Sequence, residues 1–317
     1  MSSPKKILVT CATGNQGRGV VQHCLAAGYT VFAYVRDPIT AAARQLEQSG
    51  ATLVPGDLND LDALRAATRG MDAVFLTEVK TGDSAVDLQR GTNVILAAEE
   101  AATVSHIIVA TAITADEHGD DPDDHPMRQY WLNKHALETR VRQAAESSNG
   151  NSVRHWTIIR PGHYLQNLLQ PVSSFIFPGF PQDRVLRVGW RPETQIPWMD
   201  AGDVGIVTSA AIADPERYSG RAIDLVTEAL TAQELAGRLG RALSVLSKHD
   251  VQVQVQYRSE EELNEMIRAG DPVAPAQQWA NGVRGEYVVA KCQDELGALA
   301  TKLTSVDEFL AGHASKL

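Results

Sequence analysis

The feature that most constrains the fold of this chain is a regular alternation of short apolar runs with segments of helical periodicity. The apolar runs read KILVT, TVFAYV, ATLV, AVFLT, HIIVATA and WTIIRPG. Helices are predicted between them, over residues 16–27, 39–48, 61–69, 84–102 and 128–145. Strands that alternate with helices pair in parallel, and near-continuous apolar strands need helices on both sheet faces. We therefore predict a doubly wound α/β domain over residues 1–160.

The second half, residues 161–317, is irregular by comparison. A Pro/Gly-rich stretch, FIFPGFPQD, precedes a strand-like run, RVLRVGW, and helices are predicted over 232–243, 260–268 and 307–311. This pattern predicts a smaller α+β lobe that binds the substrate, some of whose segments return to the sheet. The lobe is rich in aromatic residues, which either line an apolar ligand site or form the core. They are Phe175, Phe177, Phe180, Trp190 and Trp198.

Composition and charge limit the possible functions. The chain has 317 residues, with an ordinary apolar fraction of 44% and a charged fraction of 21%. Its N-terminal apolar run is too short for an export signal or a membrane span, and its three cysteines lie far apart, so a cytoplasmic protein is expected. The net charge of −10 and the lack of a basic patch argue against direct nucleic-acid binding.

A glycine-containing turn follows the first predicted strand, where a helix is predicted to begin. A helix N-terminus offers unpaired N–H groups and a positive dipole end to a pyrophosphate. Gly14 lets the backbone approach the phosphates, and Gly17 lets the helix pack on the strand. An ordinary strand-to-helix turn is the alternative. The candidate dinucleotide contacts are Thr10, Cys11, Thr13, Gly14, Asn15, Gln16 and Gly17.

The ends of the second and third strands indicate which dinucleotide binds. An NAD enzyme carries an acidic residue after the second strand, whereas here Arg36 stands before Asp37. An arginine pairs bidentately with a 2′-phosphate, so Arg36 favours NADP(H), although Asp37 can still serve a ribose and Arg36 can be a solvated loop residue. The third strand ends at Gly56, Asp57 and Leu58, which we place beside the adenine.

Six motifs, VTCATGNQG, YVRDP, GDLND, NK…LE, RPGHYLQN and IPWMDAGDVG, occur in this order. Together they resemble the NmrA-like branch of the atypical short-chain dehydrogenases, over nearly the whole chain. The resemblance implies a Rossmann-type fold, NADP(H) as cofactor, and Lys134 as a ligand of the nicotinamide ribose. Cys11 stands where the family has its first glycine.

Tyr130 lies one helical turn before Lys134, on the same helix face. This is the spacing of the dehydrogenase Tyr/Lys pair, in which the tyrosine is a general acid, although NmrA-like proteins often lack it. A tyrosine packed on the sheet is the alternative. Thr111 is the candidate for the missing catalytic serine of the dehydrogenases, because it is the hydroxyl that ends the fifth strand. Further candidates at the carboxyl ends of strands are Thr77, Pro161, Tyr164 and Asn167 for the cofactor. His163 and Tyr164 are candidates for the substrate, with a structural role as the alternative.

An acidic segment, residues 116–125, supplies six carboxylates and two imidazoles before the helix of Lys134. Its spacing matches no calcium loop, so no metal is expected, and we interpret it as a solvated loop or a lid. If it covers the cleft, it favours a cationic substrate.

We therefore predict an NADPH-dependent reductase of a small, secondary-metabolite-like carbonyl, imine or conjugated alkene, which is either cationic or apolar. Two alternatives stay open. One is a non-redox acid/base enzyme that acts on an imine or iminium and retains NADP(H). The other is an NADP-sensing regulator that binds a protein partner without catalysis.

Overall fold

The chain forms two compact units in a computed structural model that describes residues 5–77, 81–146, 154–299 and 301–317. The first unit comprises Met1–Asp124, Arg128–Pro161 and Ala201–Asp224. The second comprises His125–Met127, Gly162–Asp200 and Leu225–Leu317. None of the helices in the described part of the chain has the length and apolar character that a membrane crossing needs.

The first unit is built on one large sheet. Its strands, within the described residues, are β1 (Lys6–Val9), β2 (Thr30–Val35), β3 (Thr52–Pro55), β4 (Ala73–Leu76), β5 (His106–Ala110), β6 (His155–Pro161) and β10 (Arg221–Leu225). They lie in the order β10-β6-β5-β4-β1-β2-β3, and every pair from β3 to β6 is parallel. The strand order reverses between β1 and β4, where doubly wound sheets open a crevice for ligands. The predicted Rossmann-type fold is confirmed.

Of the seven helices described in the first unit, the first five lie where the sequence predicted them, with ends that differ by one or two residues, and the last two were not predicted. They are α1 (Asn15–Ala26), α2 (Ala41–Gln48), α3 (Leu61–Thr68), α4 (Ser84–Glu100), α5 (Arg128–Glu146), α8 (Asp203–Ala213) and α9 (Pro215–Tyr218). Side-chain caps fix four of the starts: Thr40, Asp60, Asp83 and Asp214 accept hydrogen bonds from backbone N–H groups at the beginnings of α2, α3, α4 and α9.

The core of this unit lies between the central strands and the helices that cover them. Every residue of β4 and β5 is buried, as expected for parallel strands covered on both faces. Glycines let α1 and α8 touch through their backbones. A Cβ atom at Gly19 would lie 2.6 Å from the Cα atom of Gly202, and one at Gly205 would lie 2.2 Å from the carbonyl oxygen of Gly19. This contact fixes α1, and with it the glycine turn, against the unit.

The second unit combines two small sheets with short helices. One sheet joins β7 (His163–Tyr164), β9 (Ile196–Met199) and β11 (Glu228–Leu230), and the other pairs β8 (Val185–Val188) with β12 (Gln254–Tyr257). The helices are α6 (Val172–Ile176), α7 (Phe180–Asp183), α10 (Ala232–Ser247), α11 (Glu260–Arg268), α12 (Ala274–Ala280), α13 (Gly285–Ala298) and α14 (Val306–His313). Short 3-10 turns cover Leu165–Leu168 and Ala314–Lys316.

The aromatic residues of the second unit mostly form its core. Phe177, Phe180, Trp190 and Trp198 are each at most 3% exposed, whereas Phe175 is 58% exposed. The ring of Trp190 meets those of Phe177 and Trp198 edge-on, with centroids 6.0 Å apart in both pairs. Of the two roles predicted for these aromatics, the structure supports packing for the four buried ones.

Candidate cofactor and active site

The glycine turn after β1 leads directly into the N-terminus of α1. Gly14 is the N-cap residue, no described side chain caps the helix, and no acidic residue lies in its first turn. A Cβ atom at Gly17 would lie 2.3 Å from the carbonyl oxygen of Cys11, and one at Gly14 would lie 3.2 Å from the same oxygen. The turn and the helix are therefore in backbone contact, and the helix end is available to an anion.

Cys11 has a left-handed backbone conformation, with a φ of 48°. Glycine adopts this conformation without steric cost, which explains the glycine that the family carries here. The Cys11 carbonyl accepts a hydrogen bond from the Gly14 N–H at 2.9 Å, and this bond closes the turn.

A cavity of about 220 Å³ opens beside this turn, at the ends of β2 and β3. Its lining includes seven residues that the sequence predicted beside the cofactor, namely Cys11, Thr13, Gly14, Arg36, Gly56, Asp57 and Leu58. Four lining residues were not predicted: Tyr34, Val35, Thr81 and Arg90. Every one of these residues belongs to the first unit.

The two charged residues after β2 have different surroundings. Arg36 lines the cavity, is exposed, and makes no hydrogen bond or ion pair with any residue that the structure describes. Asp37 does not line the cavity, and its Oδ1 accepts a hydrogen bond from the Ile39 N–H at 2.9 Å. The local charge therefore favours an anionic group over a ribose hydroxyl at this end of the cavity.

Tyr34 forms a rigid part of the cavity wall. Its hydroxyl donates to the carbonyl oxygen of Asp57 at 3.1 Å, and a Cβ atom at Gly56 would lie 2.2 Å from the hydroxyl oxygen. Burial, followed by the nearby charges of Asp60 and Asp57, raises the pKa of Tyr34 to about 12. The phenol therefore stays protonated and keeps its hydrogen bond to the Asp57 carbonyl oxygen, just after β3.

Other predicted cofactor contacts lie around the cavity and not in its lining. The Thr10 hydroxyl is buried and donates to the carbonyl oxygen of Phe75 at 3.1 Å, and the Thr77 N–H donates to Thr10 Oγ1 at 3.4 Å. These bonds tie β1 to β4. Asn15 and Gln16 form the first turn of α1, together with the buried Gly17.

Lys134 and Tyr130 face each other on α5. The Lys134 Nζ lies 5.3 Å from the centroid of the Tyr130 ring, and Lys134 is 6% exposed, whereas Tyr130 is half-buried. A helix of 19 residues is about 28 Å long, and α5 leads to the start of β6. The first turns of α5 therefore lie toward the carboxyl edge of the sheet, the edge on which the glycine turn also lies.

Thr111 has a partner that the sequence did not reveal. Its hydroxyl donates to Glu138 Oε1 at 2.8 Å, and Glu138 also accepts from Arg160 at 2.8 and 2.6 Å. Burial lowers the pKa of Arg160, but the hydrogen bonds and charges of Glu138 and Asp116 outweigh it and raise that pKa above its usual value. This bond joins the end of β5 to α5 through a buried carboxylate, and the catalytic role of Thr111 stays a prediction.

The acidic segment is attached to its own unit at several points. Asp116 pairs with Arg160 at 2.8 Å, and Arg128 donates to the backbone of Asp121 at 2.8 Å. His118 binds Asp121 at 2.7 Å and stacks on Trp131, with ring centroids 4.7 Å apart. In the part of the chain that the structure describes, no group of three or more His, Cys, Asp or Glu side chains is placed to hold a metal ion.

The remaining predicted residues follow β6. Pro161 ends that strand in the first unit and accepts a hydrogen bond from the Ile113 N–H at 3.1 Å. Tyr164 and Asn167 belong to the second unit. In the same unit His163 stacks on Trp279 with centroids 6.3 Å apart, and burial lowers the pKa of His163 to about 4, so its imidazole is neutral at physiological pH.

A doubly wound sheet with a glycine turn and a cavity at the ends of β2 and β3 defines a dinucleotide-binding protein. The model of the NmrA-like family matches residues 3–310. The chain belongs to the NmrA-like family, as the sequence motifs predicted.

Relatives and solved structures extend this comparison. An NAD(P)H azoreductase of Xenophilus azovorans is 30% identical over 236 residues, which are 74% of this chain and 73% of the relative. A (4-alkanoyl-5-oxo-2,5-dihydrofuran-3-yl)methyl phosphate reductase of Streptomyces griseus subsp. griseus is 30% identical over 243 residues, 75% of this chain and 73% of the relative. The crystal structure of the Citrobacter sp. triphenylmethane reductase complexed with NADP(H) shares the fold, with a TM-score of 0.71 and 23% identity over 98% of this chain and 99% of that chain.

The position of Arg36 predicts a preference for the phosphorylated dinucleotide. We expect NADP⁺ to bind about tenfold tighter than NAD⁺ or more, because a guanidinium forms charge-assisted bidentate bonds with a phosphate. Arg36→Ala should remove most of this difference in titration calorimetry. Arg69→Ala is the matched control, since Arg69 is an exposed arginine at the C-terminal end of α3, near the opposite edge of the sheet. Equal dissociation constants of the two nucleotides in the unchanged protein would contradict the assignment.

Proposed function

We propose that this protein reduces a small, secondary-metabolite-like molecule at a conjugated C=C, C=N or C=O bond, with NADPH as the reductant. The chain is an NADP(H)-dependent oxidoreductase, because it belongs to the NmrA-like family and its relatives include reductases. The observation that carries the finer proposal is the Tyr130–Lys134 pair, which lies in the same unit as the nucleotide cavity.

The residues of the first unit fit a dinucleotide. The turn at Gly14 and Gly17 would hold the pyrophosphate, because a side chain is sterically excluded at Gly17 and crowded at Gly14, and the first turn of α1 carries no acidic residue. Arg36 would bind the 2′-phosphate, and Lys134 the nicotinamide ribose, as in the family that the chain resembles. When bound, NADPH supplies a hydride to an electrophilic atom of the substrate.

Tyr130 is our candidate for the proton donor that completes the reduction. Hydride addition to a conjugated acceptor leaves negative charge on the far atom, which must then be protonated. The Tyr130 hydroxyl would give this proton. Lys134, whose ammonium lies over the Tyr130 ring, would stabilise the developing phenolate electrostatically.

Two observations bear on the substrate class. The names of the azoreductase and of the reductase of a 5-oxo-2,5-dihydrofuran specify substrates with double bonds that accept two electrons. This agrees with a conjugated acceptor. In the acidic segment, Asp116 is paired with Arg160 and Asp123 with Arg128, at 2.8 and 3.4 Å. These arginines offset part of the local negative charge, so we favour a neutral substrate over a cationic one.

Stoichiometry tests the proposal against both non-redox alternatives. With a panel of quinones, azo compounds, enones and cyclic imines, we expect an acceptor whose reduction consumes one equivalent of NADPH per product, because the hydride has no other source. NADPH loss is followed by its ultraviolet absorbance and product by mass spectrometry. Product formed equally well with NADP⁺ would instead indicate an acid/base enzyme. Tight NADPH binding with no turnover across the panel would favour the regulator.

Removal of a single hydroxyl tests the proton donor. We expect Tyr130→Phe to lower turnover about 100-fold or more, the scale of general acid catalysis, while NADPH affinity is retained. Tyr287→Phe is the matched control, because Tyr287 is 57% exposed and lies in the second unit. Steady-state kinetics with the best acceptor provide the measurement. Full activity of Tyr130→Phe would assign this tyrosine to packing.

A further inference from the structure

Arg90 is a second cation in the nucleotide cavity, and it comes from a different element than Arg36. It lies in the second turn of α4, is half-buried, and lines the cavity with Arg36. Among the described lining residues, these two are the cationic ones and Asp57 is the acidic one. The cavity therefore presents two guanidinium groups to whatever occupies it.

A chain of hydrogen bonds holds Arg90 in place. Its Nε donates to Asn59 Oδ1 at 3.1 Å. The amide and backbone N–H groups of Asn59 both donate to Asp57 Oδ1 at 2.8 Å. One turn further along α4, Asn93 Nδ2 donates to the carbonyl oxygen of Leu58 at 2.9 Å, so α4 is docked on the loop after β3. Arg90 is thus oriented by the protein itself.

The remaining nitrogens of Arg90 have no hydrogen-bond or ion-pair partner among the residues that the structure describes. A guanidinium presents five N–H donors in a planar fork, and only one of them is used by Asn59. A half-buried cation with unused donors, in the same cavity as a second cation without a described partner, matches a ligand group that carries two negative charges and several acceptor oxygens. A phosphate monoester has this chemistry.

We propose that Arg90, positioned by Asn59, binds the 2′-phosphate of the dinucleotide together with Arg36 and is a determinant of specificity for NADP(H). This inference rests on the proposed function and assigns a second residue to its specificity. Arg36 provides an exposed and adaptable contact, whereas Arg90 provides an oriented one. The main competing role for Arg90, stacking on the adenine, would strengthen NADP(H) and NAD(H) binding equally.

Titration calorimetry of four probes separates these roles: NADP⁺, NAD⁺, 2′-AMP and 5′-AMP. We expect Arg90→Ala to weaken binding of NADP⁺ and 2′-AMP about tenfold or more, and that of NAD⁺ and 5′-AMP less than about twofold, because only the first two carry the 2′-phosphate. Arg90→Lys should recover part of the loss, since it keeps the charge but not the fork. Asn59→Ala should give a smaller loss in the same selective pattern. Arg69→Ala is the control for removal of one positive charge, and thermal unfolding shows that each variant is folded.

The outcomes are distinct. Equal losses for phosphorylated and unphosphorylated probes would overturn the inference in favour of adenine stacking, and unchanged affinities in Arg90→Ala would overturn it altogether. In both cases the proposed function would stand, because wild-type protein still binds NADP⁺. If the wild-type protein binds neither NADP⁺ nor NAD⁺, the proposed function fails, and this inference fails with it.

Discussion

The backbone contact between the glycine turn and α1 is the constraint on which the site depends. Gly17 has no room for a side chain against the carbonyl group of Cys11, so the first turn of α1 packs directly on the backbone of the glycine turn. Gly19 and Gly205 make a second backbone contact, which holds α1 against α8. Together they bring an uncapped helix N-terminus to the carboxyl edge of the sheet, where its partial positive charge can meet a pyrophosphate.

Charged side chains then divide the first unit into a structural region and a binding region. Glu138 and Arg160 are buried, paired with each other, and further engaged by Thr111 and Asp116. A buried pair of this kind is costly to break, because the remaining charge would be left without a partner. Arg36 and Arg90 differ in that their charges have no counter-ion among the described residues, and both line the cavity. An anionic ligand is therefore expected to bind in this cavity.

Local sequence patterns predicted the strands and helices that depend on residues close together in the chain. The strands from β1 to β6 and the helices between them follow from apolar runs, helical periodicity and caps such as Asp60 and Asp83. In contrast, α12 and α13 were not predicted. Neither has a side-chain cap, and α13 begins at a glycine, so the only start signal among these features is the proline in the first turn of α12.

Contacts between distant segments explain the features of the site that the sequence did not reveal. Arg90 looks like any helix arginine in the sequence, and its place in the cavity depends on the docking of α4 on the loop that carries Asn59, 31 positions away. Thr111 ends a strand as a catalytic hydroxyl would, but Glu138, 27 positions away, engages its proton. Arg36 could be predicted because the βαβ unit itself delivers the end of β2 to the nucleotide.

Transfer of deuterium from the cofactor to the product is the direct test of whether the protein is a hydride-transferring reductase. NADPH deuterated at C4 of the nicotinamide is prepared separately in each of its two stereochemical forms and supplied with an accepted substrate in ordinary water. With an acceptor that is reduced at carbon, where the label cannot exchange with water, we expect one form, and not the other, to place a single deuterium on the product, as read by mass spectrometry. Product without deuterium at that carbon from either form would contradict hydride transfer from NADPH.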